Sequence, residues 1–179
     1  MDRIPPAPGR RLVAFLGGTI GNLDEPDRAR LLKALQSELG TEDRLLVGTD
    51  LVKDRAQLEA AYNDAAGVTA EFNRNLVHVI NANLDADLDP DAFEHVAFYN
   101  ESERRIEMWL RAREEMNARI DALEMDVGFE PGDEFRTEIS CKFTRETLER
   151  EYRAVGLEPL AWYTDPDELF ALSLTGPAT

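Results

Sequence analysis

The stretch from Arg11 to Asp50 constrains this chain more than any other. Arg11-Leu-Val-Ala-Phe-Leu16 is an apolar run without polar alternation, and it ends at Gly17-Gly18. From Pro26 to Leu39, Leu31, Leu32, Leu35 and Leu39 recur at helical spacing, with Asp24 placed to cap the first turn and Gly40 to end the last. Leu45-Leu-Val-Gly-Thr49 is a second apolar run, closed by Asp50. Strand, glycine turn, helix and strand make a βαβ unit, which calls for a parallel strand pair and a right-handed crossover. Runs apolar on both faces predict that these strands are buried.

The remaining pattern is mixed. Asp54–Asp64 and Val68–Leu84 read as helices separated by Gly67, and Asp85–Asp91 as an acidic loop. From His95 to Phe143 the period changes to two. Ile106, Met108 and Leu110 alternate with Glu107, Trp109 and Arg111, and Phe135, Thr137, Ile139, Cys141 and Phe143 alternate with Arg136, Glu138, Ser140 and Lys142. These are antiparallel strands, with Pro131-Gly132-Asp133 as a turn. Thr144 caps a helix running to about Ala154 and Gly156 stops it; strands at Leu160–Tyr163 and Leu169–Leu174 follow, around Asp165-Pro166. Residues 1–10 hold three prolines and a glycine and read as a flexible lead-in.

Composition narrows the function. At 179 residues the chain suits one domain with a sizeable core. Its 36 acidic and 20 basic residues give a net charge of −16, a poor match for nucleic acid or an anionic membrane. The one cysteine, Cys141, cannot form an internal disulfide and fits a reducing cytoplasm. No apolar run approaches the roughly 20 residues that span a bilayer, and the N-terminus lacks a secretory apolar region.

Several residues are candidates for chemistry, each with a plainer alternative. The turn Gly17-Gly-Thr-Ile-Gly-Asn22 follows the first strand, where α/β sheets bind ligands; it is also a normal tight βα turn. Asp50 either acts on a substrate or caps the next segment, and capping is the commoner use. Glu138 and Ser140, two apart on a strand, share one face and could together hold a heterocycle with one N–H and one acceptor, such as imidazole; the plainer alternative is a solvated polar face shared with Arg136 and Lys142. Tyr62, Phe72 and Met108 line either a pocket or a core. His78 and His95 have no metal-ligand spacing with each other or with Cys141, which reads as a buried, inert thiol.

Four segments together go further: Phe15–Asn22, Gly48-Thr-Asp-Leu-Val-Lys-Asp54, Ala60–Asn75 and Arg136-Thr-Glu-Ile-Ser140. They resemble the S-adenosylmethionine-dependent L-histidine Nα-methyltransferases of ergothioneine biosynthesis over about residues 11–175. The closing helix, strand and hairpin also agree with class I methyltransferase folds. The resemblance implies an α/β fold, the C-terminal half of a Rossmann-like methyltransferase with an inserted α+β substrate-binding region. Residues 11–66 and 144–175 would form the partial core and 67–143 the insertion. It further implies that Asn22 binds the amino-acid head group of histidine beside Gly17 and Gly18, that Tyr62 binds the carboxylate, and that Glu138 and Ser140 hold the imidazole. Phe72 and Met108 would shape the wall, with Thr69 nearby, and Gly17 and Gly18 would border S-adenosylmethionine.

The resemblance starts at the family's fourth strand. The glycine loop and ribose-binding acid that hold the cofactor in a complete member are not in this sequence. Residues 11–16 would therefore lie at an apolar sheet edge, open to a separate N-terminal half or to self-association. Two other readings follow from the same residues: a non-catalytic binding or partner subunit derived from such an enzyme, or a methyltransferase for another amino acid.

Overall fold

A computed structural model describes residues 9–178, so most of the predicted lead-in lies outside the described residues. The chain is mixed α/β and divides into two compact units, residues 1–53 with 140–179 and residues 54–139.

The first unit is built on a four-stranded sheet. Strand β1 (Leu12–Phe15) leads through a 3-10 turn (Thr19–Asn22) into helix α1 (Glu25–Glu38) and strand β2 (Arg44–Asp50). β1 and β2 are parallel, with Leu12 opposite Arg44 and Phe15 opposite Val47, as the βαβ pattern requires. Asp24 caps α1 by accepting from the Asp27 N–H at 2.8 Å, and Pro26 occupies the first turn, where its missing N–H costs nothing. The unit closes with helix α4 (Arg145–Ala154) and strands β8 (Leu157–Thr164) and β9 (Phe170–Pro177). Thr144 and Thr147 cap α4 reciprocally. β9 runs antiparallel to both β2 and β8, giving the order β1-β2-β9-β8.

The core of this unit packs Leu32 and Leu35 of α1 and Leu148 and Tyr152 of α4 against Leu45 and Val47 of β2. Burying each such side chain contributes about 1.5–3 kcal/mol, so the amphipathic helices are held mainly by this sheet. β1 is parallel as the pattern predicts and lies at the sheet edge as the resemblance implied, but it is not buried as its apolar run suggested: Leu12 is 60% exposed and Leu16, just after the strand, 53%. An apolar run reads the same at the edge and at the centre of a sheet, because periodicity carries no information about neighbours.

The second unit contains helices α2 (Arg55–Tyr62) and α3 (Val68–Leu84) and strands β3 (Phe93–Asn100), β4 (Arg105–Ala112), β5 (Met116–Ile120) and β6 (Met125–Phe129). It also contains most of β7 (Glu134–Cys141), whose last two residues enter the first unit. β3, β4 and β7 form one sheet, and β5–β6 a separate hairpin that the sequence pattern did not single out. Leu58 of α2 packs with Tyr99, Ile106 and Met108, which is why α2 belongs to this unit. A second cluster forms around Val77, Phe93 and Leu110, where the Phe93 ring meets Phe129 and Phe135 edge-on.

Candidate functional site

In the first unit the turn after β1 is shaped by two left-handed residues, Gly17 (φ 87) and Gly18 (φ 72). The Gly21 N–H donates to the Gly18 carbonyl at 2.9 Å. Gly21 has a stricter requirement. A Cβ on it would stand 2.9 Å from the Cys141 carbonyl oxygen and 3.7 Å from Ser140 Oγ. The turn that carries Asn22 is therefore seated on the end of β7. Asn22 itself is exposed and Ser140 is buried.

Beside Ser140 lies an ionic chain that starts at a buried ammonium and ends at part-exposed groups. Lys142 Nζ, on a fully buried side chain, donates to Ser140 Oγ at 2.8 Å and pairs with Asp50 Oδ2 at 2.8 Å. Asp50 Oδ1 accepts from Lys53 Nζ at 2.6 Å. The backbone explains the meeting: the Phe143 N–H donates to the Asp50 carbonyl at 3.0 Å, and Leu51 and Phe143 form a parallel bridge. These contacts overturn two expectations. Asp50 does not cap the next helix, because Asp54 does so by accepting from the Gln57 N–H. Residues 136–142 are not one solvated polar face, because Lys142 and Ser140 are buried by the arrival of β2's end.

Arg28 secures the same region from below. Its side chain is buried, bonds Glu151 with two nitrogens at 3.0 and 2.8 Å, and donates to the Leu23 carbonyl at 2.6 Å and to Cys141 Sγ at 3.3 Å. Its guanidinium also lies 5.1 Å from the centre of the Phe143 ring. Cys141, expected to be buried, is half-buried.

In the second unit, Asn73 Nδ2 donates to the Trp109 carbonyl at 3.0 Å and to His95 Nδ1 at 2.9 Å. An amide nitrogen can only donate, so His95 Nδ1 accepts, and its protonated Nε2 donates to the Tyr62 carbonyl at 2.8 Å. His95 thus pins the end of α2, where Tyr62 sits. Asp64 does the same for α3. Its carboxylate accepts the Thr69 N–H at 2.8 Å and the Val68 N–H at 3.0 Å, and these bonds, led by Thr69's, hold its pKa down to about 2. Phe72, one turn further on, is 65% exposed. Met108 is buried in β4, and its carbonyl accepts from Thr137 Oγ1 of β7 at 3.0 Å. Glu138 is half-buried.

Of the predicted site residues, Gly17, Gly18, Asn22 and Ser140 thus belong to the first unit, and Tyr62, Thr69, Phe72, Met108 and Glu138 to the second. Glu138 and Ser140 are two apart on β7, the strand that passes from one unit to the other. Lys142, Arg28, Gly21, Asp64 and His95 were missed as supporting residues. Only the positive charge of Lys142 among otherwise apolar neighbours gave any sign. No grouping of three or more His, Cys, Asp or Glu side chains suited to a metal ion occurs among the described residues. No helix among them is long and apolar enough to cross a membrane.

Comparison with known families sets the chain among the S-adenosylmethionine-dependent methyltransferases. The match is more specific than that class. The model of the family described as histidine-specific methyltransferase, SAM-dependent, covers residues 1–177, and the chain belongs to that family. It is 54% identical over 169 residues to the histidine N-alpha-methyltransferase of Mycolicibacterium smegmatis, covering 94% of this chain and 53% of that protein. The Mycobacterium tuberculosis protein of the same name is 52% identical over the same shares. The ergothioneine biosynthesis protein 1 of Neurospora crassa is 28% identical, over 89% of this chain and 18% of that protein. The chain spans about half the length of the two bacterial relatives.

Proposed function

We propose that this chain forms the histidine-binding part of an S-adenosylmethionine-dependent L-histidine Nα-methyltransferase of ergothioneine biosynthesis. The observation that carries the reading is the placing of Glu138 and Ser140. They lie two apart on β7, drawn away from solvent, in a chain of the histidine-specific family. A Glu carboxylate accepting an imidazole N–H makes a charge-assisted bond worth about 1.5–3 kcal/mol. Side chains that leave these groups unpaired are rejected at a similar cost. Asn22 and Tyr62 serve the amino and carboxylate ends of histidine, Phe72, Met108 and Thr69 surround it, and Gly17 borders both ligands.

S-adenosylmethionine supplies the methyl group as a sulfonium. In each round the unprotonated α-amine attacks the methyl carbon, the carbon–sulfur bond breaks, and the amine loses a proton before the next; three rounds give the trimethylated product. Catalysis of this kind is chiefly alignment, so the work of these residues is to hold the amine still. The fit to the donor itself is partial. Gly17 and Gly18 are explained by their backbone angles, and a Cβ on either would meet nothing nearer than 3.8 Å, so they do not by themselves form a cradle.

Calorimetry tests the reading. The chain should bind histidine, and Glu138→Ala should weaken that binding about 10- to 100-fold, the equivalent of the charge-assisted bond. Other amino acids should lose much less. No histidine binding, or equal losses for all amino acids, refutes it. The exposed edge at β1 supports a second strand of the proposal: β1 pairs with an N-terminal methyltransferase half or with a second copy. Light scattering that finds a monomer still able to bind S-adenosylmethionine would remove it. A cytoplasmic location agrees with the single cysteine.

A further inference from the structure

We propose that His95 is a pH-sensitive latch: with its ring neutral it holds the end of α2 to α3 and the three-stranded sheet, and with its ring protonated it releases the corner at residues 62–69. All the groups involved lie in the second unit, and the inference does not rest on the histidine-site reading above. The Trp109 carbonyl can only accept, so the Asn73 side-chain atom 3.0 Å from it is the amide nitrogen. The same nitrogen lies 2.9 Å from His95 Nδ1, which must therefore carry a lone pair. The ring's one proton is then on Nε2, where the Tyr62 carbonyl accepts it at 2.8 Å. One neutral tautomer satisfies all three contacts.

A protonated ring cannot satisfy them. Its Nδ1–H would point at the Asn73 amide nitrogen, donor against donor. Turning the amide over gives Nδ1–H an acceptor but sets the amide oxygen against the Trp109 carbonyl. Asn73 is 3% exposed, so water does not replace the lost bond. No carboxylate bonds either ring nitrogen among the described residues, so nothing there offsets the added charge. The charged groups on the elements that meet at the ring are engaged elsewhere or face solvent. Glu59 of α2 accepts from the Tyr99 N–H and pairs with Arg55. Glu94 of β3 pairs with Arg111 of β4, which also pairs with Glu134. Glu107 of β4 pairs with Arg105. On α3, Glu71 and His78 are exposed, and half-buried Arg74, next to Asn73, is a further cation rather than a counter-charge.

The corner has two other fastenings. Asp64 accepts the Val68 and Thr69 N–H groups, and these bonds, led by Thr69's, hold its carboxyl down to about 2. Leu58 keeps the body of α2 in its apolar cluster. Of the three, only His95 changes its protonation near neutral pH, so acid frees the last turn of α2 and leaves the rest of the helix seated.

Hydrogen exchange of the whole chain tests the latch, read as protection of the last turn of α2 and the corner after it, and corrected for the intrinsic pH dependence of exchange. Opening exposes an imidazole that titrates at the ordinary value of about 6.5, and only the neutral ring closes again. Opening should therefore increase about tenfold between about pH 7.5 and about pH 5.5, while β3 and β4 keep their protection. His95→Gln keeps a donor for the Tyr62 carbonyl but cannot titrate, so its protection should be the same at both pH values. His95→Phe keeps a ring without the bonds and should be poorly protected at both. Nitrogen NMR of the wild-type imidazole, which needs no variant to fold, should find the proton on Nε2 at about pH 8. A wild-type change below about threefold, or one shared equally by β3 and β4, refutes the inference. So does a His95→Gln change as large as wild type's, a His95→Phe corner as protected as wild type's at neutral pH, or a proton on Nδ1.

Discussion

Replacing Arg28 by Met should destabilise the first unit strongly although it leaves the apolar core untouched. Arg28 and Glu151 are 123 residues apart, both nearly buried, and joined by two bonds of 2.8–3.0 Å. Met keeps most of the side chain's volume and apolar contact, so the loss is electrostatic. It strands the Glu151 carboxylate with 12% of its side chain exposed, a penalty of about 3–5 kcal/mol for breaking a buried pair. The Leu23 carbonyl also loses its bond from Arg28, adding about 1 kcal/mol. For a chain of this size, 1 kcal/mol moves the melting temperature by about 2–4 °C, so a fall of about 8 °C or more is expected. Urea and thermal unfolding measure it. The double variant Arg28→Met/Glu151→Leu should recover most of the loss, because two apolar groups leave no stranded charge. A single-variant loss below about 1 kcal/mol, or a double variant no better than the single, would refute the argument that this pair is a buried, mutually dependent one.

Two further predictions concern the same unit. Asp43 joins the start of β1 to the start of β2. The Arg11 guanidinium, with the Gly40 and Arg11 N–H groups, holds its carboxyl down to about 2. A depressed carboxylate stabilises the fold above its unfolded pKa of about 3.9, and that contribution is lost as pH falls toward about 2. Wild type should therefore unfold at higher urea than Asp43→Asn at neutral pH, with the gap closing between about pH 4 and 2; a gap independent of pH would contradict this. Gly21→Ala should displace the turn bearing Asn22, because its new methyl would meet the Cys141 carbonyl oxygen at 2.9 Å. Histidine affinity should drop while Gly17→Ala, strained only by its own φ, costs chiefly stability; unchanged affinity in Gly21→Ala would show that the turn does not hold the head group.

What the sequence determined by itself was local. Apolar runs at 11–16 and 45–49 and the leucine spacing between them suffice for a parallel βαβ unit, and the caps Asp24 and Thr144 mark helix starts because a side-chain oxygen three residues from an orphan N–H is a short-range event. The pairing of Glu138 and Ser140 on one face was equally legible, since a strand's period is two. Tertiary structure decided the rest. The edge position of β1 was implied by the resemblance, but its exposure, which depends on what lies beside the strand, was not legible in the apolar run. Whether residues 136–142 faced water depended on β2 bringing Asp50 to Lys142 across a long sequence separation. The short alternating stretches of β5 and β6 became a hairpin only through pairing with each other. Burial, ion pairing and sheet position are properties of neighbours distant in sequence, and local periodicity does not record them; that is why the shared face of Glu138 and Ser140 could be read from the chain while the ammonium beside Ser140 could not.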